Sequence, residues 1–527
     1  MLMPKQLLIF KENIEIKYGD VMISFKQNNE ITYDDKDLME ENSFIGAEIE
    51  KTPVPIFSEI KDKLPQPIWE NHEDYLDCYW RVWEIAFKNL YQPKEGTGFV
   101  SNYIDAAFNG CIFMWDSAFM LMFGKYADRI FKFQKTFDNF YSHQHVDGFI
   151  CRQIEEDTGN DVFARHDPAS TGPEVMTWCE WEYYLNFGDK ERLSRVFPCL
   201  VAYHQWMQEH FTWRDGTYFS SGYGCGMDNC PRLDEKYHVC YSHGHMVWVD
   251  ACMQELNACN LLIKMAKELG REEFIPELQQ ESEHLFKVIN EKLWDEKTQF
   301  YYDLRNDDTF NGVKHIGAFW ALLAKCVPES RKESFIAHLN NESEFKTEHR
   351  VPTLSKDHPE YNEKGGYWCG SVWAPTNYMV LKGLDAYEKY DLSYEIASSH
   401  LDAVVNVFKD TGTVFENYSP EKVEGKFMKG SPSLPDFVGW TGIIPISIMF
   451  EYVFGIKPDA ANNKITWHIN RLEKHGIEKY PFGTDGELTL ICEKRNSPEE
   501  KPNVTIKSNV PVTVEIIWAD NKELLDI

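Results

Sequence analysis

The sequence contains no Cys-x-x-Cys pair, no His-Glu-x-x-His and no G-x-x-x-x-G-K-[ST] loop. These absences remove the simplest zinc, thiol-redox and nucleotide-phosphate readings. No run of about 18 apolar residues occurs, so no membrane-spanning helix is expected. The start, MLMPKQLLIFKEN, has only LLIF before Lys11 and no small-residue cleavage site, which argues against a signal peptide. Positive charge is scarce: 54 Lys and Arg stand against 84 Asp and Glu, for a net charge of −30. Such a surface repels phosphate backbones and anionic membranes, so neither nucleic acid nor membrane is expected as a partner. Paired cysteines are lacking too. The 13 cysteines are odd in number and scattered, and Cys179, Cys252, Cys259 and Cys326 lie in apolar helical stretches. That usage fits reduced, buried thiols in a cytoplasmic protein better than a disulfide framework.

Aromatic residues are plentiful, with 16 Trp, 26 Tyr and 34 Phe among 527 residues. Aromatics with polar edges line pockets for amphipathic ligands such as sugars, and a large core also uses large side chains. The chain divides into three zones. Residues 1–68 carry short alternating runs such as Val21–Phe25 and read as a β-rich segment. Residues 69–456 turn helical, with amphipathic stretches at about 70–92, 115–142, 173–187, 190–212, 246–269, 271–292, 316–326, 329–340, 373–389, 392–409 and 438–454. Residues 457–527 return to β-branched alternation in ITWHI, ELTLICE, NVTIKS and VTVEIIW, a closing β module. The helices come in pairs followed by turn-aromatic fragments: DGFICRQI, DGTYFSSG, KTQFYYDL and TGTVFENY. Helical hairpins with long, unequal loops rich in Trp, Gly and Asp predict a mainly α fold. Eleven or twelve helices in pairs favour a closed (α/α)6 barrel, a toroid of helical hairpins with small β-rich ends, over an open solenoid.

Four acids sit beside aromatics in loops: Asp116 in CIFMWDSAF, Asp228 in GCGMDNCPR, Asp303 in FYYDLRNDD and Glu416 in GTVFENYSPE. An Asp such as Asp116 at a helix start also caps free N–H groups, and exposed loop acids are usually only solvated. Asp228 and Glu416, however, follow aromatic fragments at equivalent places in two repeats, so a toroid brings them to one rim. Two carboxylates across a pocket suit glycoside hydrolysis, one protonating the leaving oxygen and the other activating water or attacking the sugar. The segment GGYWCGSVWAPTNYMVLKGL (365–384) adds Trp368, Trp373 and Tyr378 as flat faces and Asn377 as a hydroxyl partner. Trp115, Asp116, Arg152, Gln153, Tyr223, Asn229 and Trp440 complete the pocket candidates. Arg152 is read as a partner for an acidic aglycone. The pairs His143/His145 and His243/His245, with Asp147, Asp250, Cys225, Cys230 or Cys240, are the material for a metal site. His-x-His spacing without a second Cys pair falls short of one, so no metal and no cofactor are expected.

With these segments in view, the sequence resembles glycoside hydrolase family 63 and the related trehalase group in its short bacterial form, over roughly residues 70–525. WDSAF (115–119) is similar to the motif that opens the family's catalytic barrel, and 178–207 resembles its E-Y-x-G-D helix pair. GMDNCPR is similar to the segment bearing the general acid, and FENYSPE to that bearing the general base. GGYWCGSVWAPTNY and FVGWTG (437–442) are similar to its pocket segments. The resemblance implies an inverting, exo-acting α-glycosidase that needs no metal, with Asp228 as acid and Glu416 as base. Its substrate would be a terminal α-linked glucose or mannose on a small carbohydrate, including glucosyl- and mannosylglycerate. The chain departs from the pattern at Cys230, where the family has Ser, at Tyr223–Cys225 and at HDPASTGPE (166–174). These departures argue against a trehalase proper and leave the sugar and oligomeric state open. The rival from another class is a non-hydrolytic toroid: a sugar-binding protein, or a zinc-dependent cyclase using Cys and His.

Overall fold

The computed structural model describes residues 42–105 and 109–527, together with the backbone of 13–18 and 21–26. The β-rich reading of 1–12 and 27–41 lies outside the described residues. Asn13–Tyr18 and Val21–Lys26 pair as an antiparallel hairpin.

Helices occupy the stretches that the hydrophobic period marks, and they fall into two kinds by burial. All 11 residues of Met114–Gly124 are buried. In Ile275–Lys292, by contrast, burial is confined to Leu278, Glu281, Ser282, Leu285, Val288 and Ile289, one stripe at helical spacing. The first kind is wrapped on every side and the second faces solvent. The contacts give the order of the buried kind. Met114–Gly124 packs on Met176–Phe187, which packs on Val249–Leu269, then Trp320–Leu323, then Ala374–Ala386. The turns from Thr441 to Val453 then touch both Ala374–Ala386 and Met114–Gly124, so the order of neighbours returns to its start. Buried charge ties this ring together. Lys382 Nζ lies 2.7 Å from Glu182 and 2.8 Å from Glu451, and Lys125 lies 3.0 Å from Glu451. The hydroxyls of Tyr126 and Tyr378 both donate to Glu451 at 2.8 Å.

Connections are unequal at the two ends of the ring. Met176–Phe187 passes to Lys190–His210 through Gly188, at φ 64°, and Asp189, which caps the next helix by accepting from Arg192 N at 2.9 Å. Gly270, at φ 68°, ends Val249–Leu269 in the same way. At the opposite end the chain needs the long stretches 143–175, 211–248, 341–373 and 412–440 to reach the next buried helix. All the long loops therefore lie at the N-terminal ends of the buried helices, where a functional rim can be built.

Three helical expectations change in detail. The stretch 115–142 is not one helix. It breaks after Gly124, where an added Cβ would sit 2.5 Å from the Phe133 ring, and resumes at Thr136–Ser142. The stretch 316–326 shrinks to a 3-10 turn and the single turn Trp320–Leu323. In 438–454, Ile444–Val453 takes π-helical turns, with Phe454 N bonded to Met449 O at 2.8 Å.

The C-terminal strands form two four-stranded sheets. One contains Ile456–Asp459, Lys464–His468, Thr513–Trp518 and Asn521–Asp526, with a parallel central pair. The other contains Val504–Ser508, Gly486–Cys492, His475–Phe482 and, from the front of the chain, Gln66–Trp69. This last strand straps the N-terminal segment onto the β module just before the first long helix, Glu73–Lys88.

Candidate active site

Asp228 lies on the long loop between Lys190–His210 and Val249–Leu269. Its approach, SSGYGCGM, needs small residues for stated reasons. A Cβ on Gly222 would meet Val239 O at 2.4 Å and Asp228 O at 2.5 Å. Gly226 is at φ 74°, and a Cβ there would touch the Trp115 indole at 3.4 Å. The loop is thus pressed against Trp115 at the start of Met114–Gly124, and Asp116, the next residue, lies within reach of the charges of Glu416 and Arg152. Behind the loop, Arg232 is fully buried. It contacts Asp250 at 2.6 and 2.7 Å and Asp303 at 2.6 and 2.9 Å, and it stacks on Trp248 at 4.1 Å. Burial alone would raise the Asp303 carboxyl, but Arg232 and His315 hold it well below the usual carboxylate range. Asp303 is therefore an anchor of this loop.

Glu416 is on the loop before the π-helical segment and is only 6% exposed. Tyr367 Oη donates to its Oε1 at 2.8 Å, and Leu434 N donates to its Oε2 at 3.3 Å. The Trp440 indole N–H caps the Glu416 carbonyl at 2.6 Å. Trp373 packs on Trp440 with ring centroids 5.4 Å apart, and Trp368 stacks flat on Trp373 at 3.9 Å. The aromatic wall beside Glu416 is thus Trp368, Trp373, Trp440 and Tyr367.

One chain of hydrogen bonds joins the two acids. Asn229, next to Asp228, accepts from Trp368 N at 2.9 Å and donates to Gly366 O at 3.0 Å. Tyr367, held between those two residues at φ 65°, reaches Glu416. The loops of both carboxylates are therefore fixed to one another through residues 366–368. Asn229, expected in the pocket, spends its amide on this joint.

The two acids have different surroundings. Burial pushes Asp228 up to about 6, with the Arg152 cation opposing the rise. Among the described residues no other side chain is hydrogen-bonded to its carboxyl. Glu416 is raised by burial and by the charge of Asp228, while its two donors pull it back. Asp116 is raised well above the usual range by burial, then by Asp105 and Glu416. Arg152 lies under Tyr223 at 5.1 Å and beside Phe163 at 4.7 Å. Its Nε donates to Ala169 O at 2.9 Å, and among the described residues its two terminal nitrogens make no hydrogen bond. The Trp115 indole N–H is likewise buried without a partner there.

Three expected residues sit apart from this cluster. Gln153 lies in a strand paired with Cys111–Phe113, and no described contact joins it to either acid. Asn377 is fully buried, its amide spent on Arg350 O at 2.9 Å and Val351 N at 3.1 Å. Tyr378 belongs to the Glu451 cluster inside the ring. Both are on Ala374–Ala386, already past its N-terminus, so they point into the ring rather than at the rim. Sequence reasoning passed over Tyr367. Its signal was a tyrosine directly after two glycines, inside a segment in which the tryptophans drew the attention.

The first histidine pair is occupied elsewhere, and in the second His243 Nδ1 accepts from His245 N at 2.9 Å. His143 faces the carbonyls of Asn139 and Thr97, and His145 lies 2.6 Å from Asp161. Among the described residues, His204, Cys259 and Glu281 alone bring three metal-binding side chains within 4.8 Å. They lie buried between Lys190–His210, Val249–Leu269 and Ile275–Lys292, away from both acids, and His204 already contacts Glu255 at 2.7 Å and Glu281 at 2.9 Å.

The sequence from 112 to 432, which holds both acids and the joint between them, matches the family model of the mannosylglycerate hydrolase MGH1-like glycoside hydrolase domain. This chain is an MGH1-like glycoside hydrolase. Similar proteins agree with that placement in family 63. An uncharacterized protein of Borreliella burgdorferi is 27% identical over 449 residues, 82% of this chain and 90% of the relative. A mannosylglycerate hydrolase of Thermus thermophilus is 23% identical over 383 residues, 60% of this chain and 90% of the relative. The crystal structure of a GH63 mannosylglycerate hydrolase from Thermus thermophilus in complex with glucose superposes with a TM-score of 0.56 at 19% identity. That match covers 70% of this hydrolase and 99% of the other chain. The probable mannosyl-oligosaccharide glucosidase of Schizosaccharomyces pombe is 23% identical, but the match spans only 34% of that longer protein. Among the described residues of this MGH1-like hydrolase no helix is long and apolar enough to cross a membrane.

Proposed function

We propose that this MGH1-like hydrolase removes a terminal α-linked mannose or glucose from a small glycoside with inversion, using Asp228 as general acid and Glu416 as general base. The ring of buried helices inside a second set of solvent-facing helices is then an (α/α)6 barrel, and its long-loop rim is the pocket. The observation that carries the reading is the unequal environment of two carboxyls held in one bonded frame. Asp228, near 6 and with no side-chain hydrogen bond to its carboxyl among the described residues, keeps a proton that it can give to the glycosidic oxygen. Glu416 accepts an O–H and an N–H, an arrangement that favours its ionised form and suits it to take a proton from water. Water then attacks the face of the sugar opposite the leaving group, and the anomeric centre inverts. Trp115, Trp368, Trp373 and Trp440 supply apolar walls, and Trp115 an unspent N–H, for a sugar ring. The free guanidinium nitrogens of Arg152 suit an acidic aglycone such as glycerate.

The test is initial-rate assay of Asp228→Asn and Glu416→Gln on mannosylglycerate, glucosylglycerate and neutral α-glucosides. Each isosteric change is expected to remove a factor of about 10²–10⁴ while the circular dichroism stays that of the wild type. Near wild-type turnover in either variant sinks the assignment of that residue. Arg152→Ala is expected to lower activity on the glycerate-bearing glycosides more than on the neutral ones.

A further inference from the structure

Of the 13 cysteines, 11 are buried, and only Cys240 and Cys369 reach solvent in part. Each holds one of two successive peptide carbonyls. Cys240 Sγ donates to the carbonyl of Asp228 at 3.6 Å, and Cys369 Sγ donates to the carbonyl of Asn229 at 3.4 Å. Cys240 belongs to the same long loop as Asp228, and Cys369 to the 341–373 loop. Cys240 is set by a backbone bridge, with Gly222 N on Val239 O at 3.1 Å and Tyr223 N on Cys240 O at 3.0 Å. The Asp228 carbonyl is packed into this bridge so closely that residue 222 has no room for a Cβ. Cys369 belongs to the 366–369 turn that also binds the Asn229 amide, and its sulfur accepts from Asn229 Nδ2 at 3.6 Å. Burial raises both groups, Cys369 to about 11, so at neutral pH each carries the hydrogen that it donates.

We propose that Cys240 and Cys369 are positioning residues that clamp the successive carbonyls of Asp228 and Asn229 and so aim the Asp228 carboxyl at the leaving oxygen. The inference rests on the reading of Asp228 as the general acid. It also makes the active site open to thiol capping, although neither sulfur takes part in the reaction. With methyl methanethiosulfonate, the cysteine sulfur displaces methanesulfinate and a Cys–S–S–CH₃ bond forms. The thiol proton goes to solvent, the donor is lost, and a methylthio group is forced into the clamp.

The experiment compares two substrates that differ in their need for an acid: mannosylglycerate with α-mannosyl fluoride, or the glucosyl pair, whichever the wild type turns over. Fluoride leaves with little proton assistance, whereas the alkoxide of a glycoside needs it. Cys240→Ala and Cys369→Ala are each expected to lower kcat on the glycoside about 3- to 10-fold, as loss of one weak neutral hydrogen bond implies. KM and the rate on the fluoride should stay within about twofold. Cys240→Ser and Cys369→Ser, which keep a donor, should recover most of the loss. Capping of the wild type, followed by mass, should add two methylthio groups and depress glycoside turnover, reversibly with dithiothreitol. The double Ser variant should resist it. Wild-type rates in both Ala variants, equal losses on both substrates, or two adducts with full glycoside activity would each overturn the clamp. If Asp228→Asn is inactive and the Ala variants are not impaired, the clamp alone fails. If Asp228→Asn is active, the reading of Asp228 as the acid fails.

Discussion

Replacing Tyr367 by Phe removes one hydroxyl and keeps the ring that packs edge-on against Trp373 at 4.8 Å. The hydroxyl lost is the one donated to Glu416 Oε1 at 2.8 Å. Burial, with Glu416 and Asp228 nearby, raises the Tyr367 phenol, so it stays a donor across the working range. A hydrogen bond to an ionised acceptor is worth about 1.5–3 kcal/mol, roughly a 10- to 150-fold effect. The bond favours the charged form of Glu416, so its loss raises the Glu416 pKa. A base must be ionised to act, hence activity disappears as pH falls through that pKa. The acid limb of kcat/KM for Tyr367→Phe should therefore move to higher pH. The loss should be large on the acid side, of the size just given, and should shrink as pH rises and Glu416 ionises without help. The assay is a pH series of kcat/KM with wild type and variant side by side. Parallel profiles, or an acid limb displaced to lower pH, would mean that the Tyr367 hydroxyl does not favour the ionised form of Glu416.

Three further outcomes follow from the same geometry. If Asp228 is the general acid proposed above it must be protonated to act, so wild-type kcat/KM should fall as pH rises beyond about 6, and Arg152→Met, by removing the cation that opposes burial, should move that alkaline limb upward. The His204 imidazole would be lowered by burial alone, yet Cys259, Glu281 and Glu255 hold it well above its ordinary value of about 6.5. Its stabilisation is present in full below that value and is lost as pH rises through the folded-state pKa, which thermal unfolding across pH would trace. His204→Ala removes the cation between the buried carboxyls of Glu255 and Glu281 and should cost about 3–5 kcal/mol, seen as a lower unfolding temperature with catalysis unchanged in the folded fraction.

Much of this was legible in the sequence because buried helices and rim loops obey different local rules. The hydrophobic period placed most helices within a few residues, and Gly188 and Gly270 marked two of their ends. The break at Gly124 was not legible, because it depends on Phe133 folding back onto a residue nine positions earlier. The π-helical turns of Ile444–Val453 look like any apolar helix until the neighbours are placed. At the site, loop position and residue type single out Asp228, Glu416, Trp368, Trp373 and Trp440, whose loops are joined through residues 366–368. Asn377 and Tyr378 were chosen by residue type from a pocket-like segment. Helix geometry carries them past the rim, one onto the 350–351 peptide and the other onto Glu451. Asn229 and Tyr367 matter through partners more than a hundred and about fifty residues away, and no local pattern announces such pairs. The cysteines beside Asp228 changed meaning for the same reason: Cys225 and Cys230 are buried packing, while Cys240 and Cys369 touch the acid's loop.

In the proposed mechanism Asp228 and Glu416 act on opposite faces of one sugar ring, as acid and as base toward water. Proton NMR of the first sugar released from an α-glycoside, recorded before mutarotation, tests it most directly. Inversion releases the β-anomer as the initial product. An initial α-anomer would mean that one carboxylate attacks the sugar itself, and would contradict it.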